Sequence, residues 1–213
     1  MIILERIIKL QLLLYFAKIK AVIFDFGDVI GHFDIEHFDK FVSLNRGCPS
    51  KVESFFKEYK SEFDKNRISE KEFWTKLSEV TELNIGWRVL ARNNQKNLMI
   101  DYYMIEIIKE IKITKILLSN MDITTVKQIK SELEIDALFD DVIFSCDIEK
   151  NKLDFEILNK ICNKHKINPE EVLFIDDYEG NISKAKDYGF KTILFKDSKE
   201  LKERLNKEFG LLR

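Results

Sequence analysis

The chain has 213 residues, 45% apolar and 34% charged, which gives room for one large globular domain or a core with a smaller insert. Its 35 Lys and Arg against 37 Asp and Glu leave a formal net charge of −2, with no basic stripe and no interleaved aromatics to draw a nucleic-acid partner. Seven Gly and two Pro argue against long linkers, and Cys48, Cys146 and Cys162, lacking CxxC or Cys/His spacing, read as reduced thiols of a cytoplasmic protein.

Residues 1–18 are apolar but interrupted by Glu5, Arg6, Lys9 and Gln11. The longest clean run, 12–17, falls far short of the roughly 20 residues a membrane span needs. No small-x-small cleavage site follows it, so the segment is read as an N-terminal appendage. Next, Ala21-Val22-Ile23-Phe24 runs straight into Asp25. A short apolar run ending in a turn signal reads as a strand buried on both faces of a parallel sheet. Such sheets bind ligands at the carboxyl ends of their strands, where Asp25 would stand. Gly27 is expected to let the backbone turn sharply there. Alone, Asp25 equally well reads as an aspartate that ends a strand.

The pattern then turns helical. Phe38, Phe41 and Val42 share a face; Val52, Phe55, Phe56, Tyr59 and Phe63 continue it. Ser69 with Glu72 three residues on makes a capping box ahead of Phe73, Leu77 and Val80. No strand-like alternation is expected before Lys112. Residues 32–99 are therefore read as a helical insert, either a purely stabilising bundle or a cap over the strand ends that excludes water. Residues 19–31 and 100–213 form the core. Within it a βα rhythm sets in, with strands over 114–118, 141–144, 171–175 and 191–195. Helices fall between and after them, over 103–111, 124–133, 154–165, 181–188 and 198–209. Asp154 is the expected N-cap of one helix, and Gly189 stops another. Alternating strands and helices predict an α/β fold with a doubly wound parallel sheet.

The polar residues at the strand ends fall on one edge of that sheet. Asp25 follows the first strand, Ser119 and Asn120 the second, and Asp176 and Asp177 a later one; Lys152 lies in a loop before a helix. Three carboxylates, a hydroxyl and an ammonium are what phosphoryl transfer through an aspartyl intermediate requires. One carboxylate attacks while the others hold a magnesium ion. The hydroxyl, backbone amides and ammonium bind phosphoryl oxygens.

In these motifs the sequence resembles the haloacid dehalogenase-like hydrolases, over roughly residues 20–195. Phe24-Asp25-Phe26-Gly27-Asp28-Val29-Ile30 resembles the first motif, Leu118-Ser119-Asn120 the second and Lys152-Leu153-Asp154-Phe155-Glu156-Ile157 the third. Asp176-Asp177 followed by Asn181, Ala185 and Gly189 resembles the fourth, and residues 66–73 resemble caps of the sugar-phosphate phosphatase branch. The resemblance implies an α/β core with a Rossmann-like sheet and a magnesium-dependent phosphatase of small phosphorylated molecules, with sugar phosphates among the candidates. It implies Asp25 as nucleophile, and Asp25, the Gly27 carbonyl, Asp176 and Asp177 around Mg²⁺. Ser119, the Asn120 amide and Lys152 would bind phosphate, with Lys152 also paired to Asp25, and Asn181 would brace the loop.

One departure stands out. Most phosphatases of this family carry a second Asp two residues after the nucleophile, as general acid and base; here Gly27 occupies that place. General acid–base catalysis contributes about 10²–10⁴-fold, so a leaving group needing little protonation suits this site. A dehalogenase attacking carbon and a catalytically weak ligand-binding or interaction protein are the alternatives. The acidic pair Asp176-Asp177 favours the phosphatase. Trp74, Trp87, Arg88, Tyr102 and Tyr103 read as pocket lining or as core, and the motifs leave the oligomeric state open.

Overall fold

The computed structural model describes residues 18–212, so nearly all of the expected appendage lies outside the described residues. Strand β1 (Ala21–Phe24) is buried throughout. The chain then makes a tight turn in which the amides of Ile30 and Gly31 both donate to the Phe26 carbonyl, at 2.8 and 3.0 Å. Strand β2 (Gly31–Phe33) follows, paired antiparallel with β3 (Leu98–Ile100) through Gly31 and Ile100, His32 and Met99, and Phe33 and Leu98. This ribbon was not expected. Three residues per strand are too few for a period-two pattern to register.

Between the ribbon strands lie four helices: α1 (Ile35–Leu44), α2 (Val52–Asp64), α3 (Glu70–Val80) and α4 (Trp87–Lys96). Asp34 caps α1 by accepting from the His37 amide at 2.9 Å, and Ser69 caps α3 by accepting from Glu72 at 3.2 Å. The apolar faces read from the sequence meet in a cluster of their own. Phe63 stacks on Phe73 with ring centroids 4.1 Å apart, and Phe38, Phe55, Trp74, Leu77 and Leu90 surround them. Trp74 thus belongs to the core, while Tyr102 and Tyr103 are exposed.

The rest alternates as expected. Strands β4 (Thr114–Ser119), β5 (Asp141–Phe144), β6 (Val172–Asp176) and β7 (Lys191–Leu194) join β1 in one parallel sheet, in the order β5-β4-β1-β6-β7. The accompanying helices are α5 (Tyr102–Glu110), α6 (Ile123–Glu132), α7 (Ile135–Leu138), α8 (Ser145–Ile148), α9 (Phe155–His165), α10 (Glu179–Tyr188) and α11 (Ser198–Lys207). Asp154 stands at the N-cap of α9, but its side chain makes no capping bond; Gly189 ends α10 at φ 106°, as its type predicts.

Strand alternation feeds two layers. Val22, Phe24, Leu117, Leu173 and Ile175 pack into a cluster with α5, α6 and α11. Ala21, Ile23, Ile116, Leu118, Val172 and Phe174 pack with α9 and α10 on the other face. Both faces are covered, which is why these strands read as unbroken apolar runs. All three cysteines are free thiols, with Cys146 and Cys162 buried. Among the described residues no helix is long and apolar enough to cross a membrane.

Candidate active site

Strand order puts a crevice at β1. The chain builds outward from β1 through β4 to β5, then returns to the other side for β6 and β7. Phe24, the last residue of β1, is in register with Leu117 on one side and Ile175 on the other, so β1 stops one or two residues before its neighbours and the polar ends of β4 and β6 flank Asp25. Reversal of the winding at the carboxyl ends of strands is where open α/β sheets bind ligands. Asp25, Ser119 and Asp176 stand there, at the ends of β1, β4 and β6.

Asp25 is 7% exposed, Lys152 3% and Asp176 0%. The Asp25 Oδ1 accepts from its neighbour, the Phe26 amide, at 2.7 Å and from the Ser119 hydroxyl at 2.8 Å. Its Oδ2 takes the Lys152 ammonium at 2.6 Å, and the same ammonium reaches Asp176 Oδ2 at 2.7 Å. Asp176 is held further by the Tyr178 amide at 2.9 Å and by the Asn181 side-chain amide, 3.0 Å from each carboxylate oxygen. Asn181 thus fixes the Asp176 carboxylate directly. Asn120 makes a contact the sequence did not disclose: its Oδ1 accepts from the Lys152 amide at 2.9 Å, fixing the loop that delivers the lysine.

The site is short of positive charge. One ammonium serves two buried carboxylates, and burial works against that ammonium. Asp25 and Asp176 outweigh the burial and hold Lys152 above its ordinary value. Asp177, partly exposed, completes a set of three carboxylates whose ligand oxygens lie within 4.8 Å of one another. Burial, then the charges of Asp176, Asp25 and Asp28, push its carboxyl up to about 6. The stability its protonated form contributes is present below about pH 4 and is lost as pH rises through about 6. A hard dication among these oxygens would offset the repulsion. Magnesium takes one or two carboxylates and oxygen donors from water and phosphate, so the donor set fits it.

The turn after Asp25 differs from expectation. The left-handed residue is Asp28, at φ 52°, whereas Gly27 lies outside that region and a Cβ on it would meet nothing within 4 Å. The sharp turn thus does not explain the glycine. All seven expected site residues fall at this one edge: Ser119 and Asp176 as the last residues of β4 and β6, and Asp25, Gly27, Asn120, Lys152 and Asp177 in the loops.

Contacts from the helical block were not legible. The Ser145 hydroxyl, buried at the end of β5, donates to the Asp64 carbonyl at 2.6 Å and accepts from the Met121 amide at 2.9 Å. Arg67 donates to the Glu149 carbonyl at 3.1 Å. These ties place the end of α2 against the loops that follow β4 and β5.

A family model described as haloacid dehalogenase-like hydrolase matches residues 19–189. Among solved structures, the chain is similar to a predicted HAD-like family hydrolase from Porphyromonas gingivalis. The TM-score is 0.73 at 24% identity, covering 90% of this chain and 99% of that one. It is also similar to a HAD family enzyme of Bacteroides thetaiotaomicron in complex with magnesium and inorganic phosphate. There the TM-score is 0.69 at 23% identity, covering 86% and 98%. Among curated proteins, Bifunctional epoxide hydrolase 2 of Rattus norvegicus is 34% identical over 77 residues, 36% of this chain and 14% of that protein's length.

Proposed function

The chain belongs to the haloacid dehalogenase-like hydrolase family, and from that premise we propose that it is a magnesium-dependent phosphatase of small phosphorylated metabolites that forms an aspartyl-phosphate at Asp25. The observation that carries the reading is the Asp25 carboxylate. It is held at three points by Phe26, Ser119 and Lys152, beside the further carboxylates of Asp176 and Asp177. The magnesium and phosphate bound by the Bacteroides enzyme support it. We take the helical block between β2 and β3 as the cap of this site.

In the first half-reaction a carboxylate oxygen of Asp25 forms a bond to phosphorus as the bond to the leaving oxygen breaks. The leaving alkoxide or phenoxide takes its proton from solvent. In the second, water attacks phosphorus, the Asp25–phosphorus bond breaks, and inorganic phosphate leaves with the carboxylate restored. The Ser119 hydroxyl and Lys152 ammonium, which bind Asp25 in the resting site, turn to the phosphoryl oxygens, joined by the Asn120 amide. Asn120 and Asn181 hold Lys152 and Asp176 in place throughout. Asp25, the Gly27 carbonyl, Asp176 and Asp177 would hold magnesium, which supplies charge that offsets repulsion between the carboxylate and the phosphate dianion.

The test is hydrolysis of an aryl phosphate with and without magnesium, by the wild type, Asp25→Asn and Asp176→Asn. Turnover is expected only with the metal, and both variants should fold while losing at least about 10³-fold in kcat, the order seen when an essential group is removed. Full activity in chelator overturns the reading. So does metal-free halide release from a 2-haloacid, which makes the protein a dehalogenase, or phosphate-ester binding without turnover.

A further inference from the structure

Ser145 carries a buried hydroxyl that the chemistry above does not use. It follows β5 directly and is 1% exposed. Phe144 is in register with Ser119, so Ser145 lies one residue past that pairing, as Asn120 does. A serine in a first helical turn ordinarily bonds backbone groups close to it in the chain. Among the described residues, both bonds of this one go elsewhere. Its proton goes to the Asp64 carbonyl at 2.6 Å, 81 residues away, and its oxygen takes the Met121 amide at 2.9 Å, 24 residues away. A hydroxyl has a single proton. With that proton committed to the end of α2, a lone pair is left for Met121. The rest of the loop after β4 is anchored as well. The Ser119 hydroxyl is tied to Asp25, the Asn120 side chain to the Lys152 amide, and the Asp122 carboxylate to the amides of Thr124 and Thr125. Between these anchors lies the peptide joining Asn120 to Met121, and Ser145 holds it by its N–H.

We propose that Ser145 is a positioning residue of the site: it sets the backbone of the loop that binds phosphate, and the Asp64 carbonyl of the helical block sets Ser145. Its influence passes through the Met121 amide. Rotating the 120–121 peptide turns the Asn120 backbone. That would displace the amide assigned to a phosphoryl oxygen and the side chain that holds the Lys152 loop. Small displacements of such groups are costly, about 10²-fold in rate for 1 Å. A serine that only satisfied two buried backbone groups would act otherwise. Its loss would lower stability and leave what the loop binds unchanged. The assignment rests on the phosphatase reading for the loop's ligand, and on the two hydrogen bonds for the positioning.

The test titrates the wild type, Ser145→Ala, Ser145→Cys and Arg67→Met by calorimetry, first with magnesium alone and then with inorganic phosphate in saturating magnesium. Arg67→Met breaks the neighbouring tie between the block and the Glu149 carbonyl without touching Met121. Phosphate should bind at least about tenfold more weakly to Ser145→Ala and within about twofold of wild type to Arg67→Met, with magnesium affinity within about twofold in all. Ser145→Cys, whose thiol is a weak donor and acceptor, should fall between wild type and Ser145→Ala. The kcat for an aryl phosphate should drop at least about tenfold in Ser145→Ala and stay within about twofold in Arg67→Met. Wild-type phosphate affinity in a destabilised Ser145→Ala overturns the assignment. So does an equal fall in Arg67→Met, or a loss of magnesium affinity as large as that of phosphate. If the alanine variant does not fold, the cysteine variant decides, and wild-type affinity there counts against the role. Absence of turnover with any ester refutes only the phosphatase reading, because the phosphate titration still decides the positioning. A wild type that binds no phosphate overturns both.

Discussion

Gly27 stands two residues beyond Asp25, the proposed nucleophile, where the family most often has the aspartate that protonates the leaving oxygen. Nothing lies within 4 Å of a Cβ built there, and the left-handed conformation belongs to Asp28. The backbone therefore accepts a side chain at 27, and its absence is a matter of chemistry, not of strain. Without that acid, rate should depend steeply on how stable the departing oxyanion is. Gly27→Asp should raise kcat for alkyl phosphates such as a sugar 6-phosphate by up to about 10²-fold and leave aryl phosphates nearly unchanged. A series of esters of graded leaving-group acidity, run on both proteins, checks this. A flat series in the wild type, with chemistry rate-limiting, would mean that another group protonates the oxygen. Asp28 and His32, both exposed near the turn, are then the residues to substitute.

At the scale of elements, the two-stranded ribbon joins the helical block to the sheet, and Gly31 is its tightest point. A Cβ there would come within 2.9 Å of the buried Phe26 ring and 3.1 Å of Ile100. The Phe26 ring cannot give way freely, because it is buried in the core cluster under the sheet. Gly31→Ala should cost about 1–3 kcal/mol, the range for overpacking a filled core, and lower kcat as well. Urea unfolding with steady-state kinetics measures both; unchanged stability and activity would contradict the packing described. The ribbon also marks the limit of what the sequence pattern carries. The five sheet strands were legible because burial on both faces leaves apolar runs that end in polar residues, and Asp25, Ser119 and Asp176 are those residues. Two three-residue strands leave no such trace. The bond from the Ser145 hydroxyl to the Asp64 carbonyl left no trace either, because the two residues lie 81 apart in the chain. Asn120 was legible as a loop residue but not as the support of Lys152, 32 residues away.

The molecule as a whole is two apolar layers around a sheet, a third apolar cluster in the helical block, and a strongly charged edge where they meet. Little of the chain's near-neutral total charge predicts that edge. Three carboxylates converge there, two of them on one buried lysine, because strand order brings distant segments to one crevice. In the proposed reaction Asp25 takes the phosphoryl group before water does. Stereochemistry at phosphorus tests this most directly, using an aryl phosphorothioate made chiral with oxygen isotopes and hydrolysed in isotopically labelled water with magnesium. Two successive in-line displacements, the first onto Asp25, predict net retention of configuration; net inversion would mean that water attacks directly and would contradict the aspartyl intermediate.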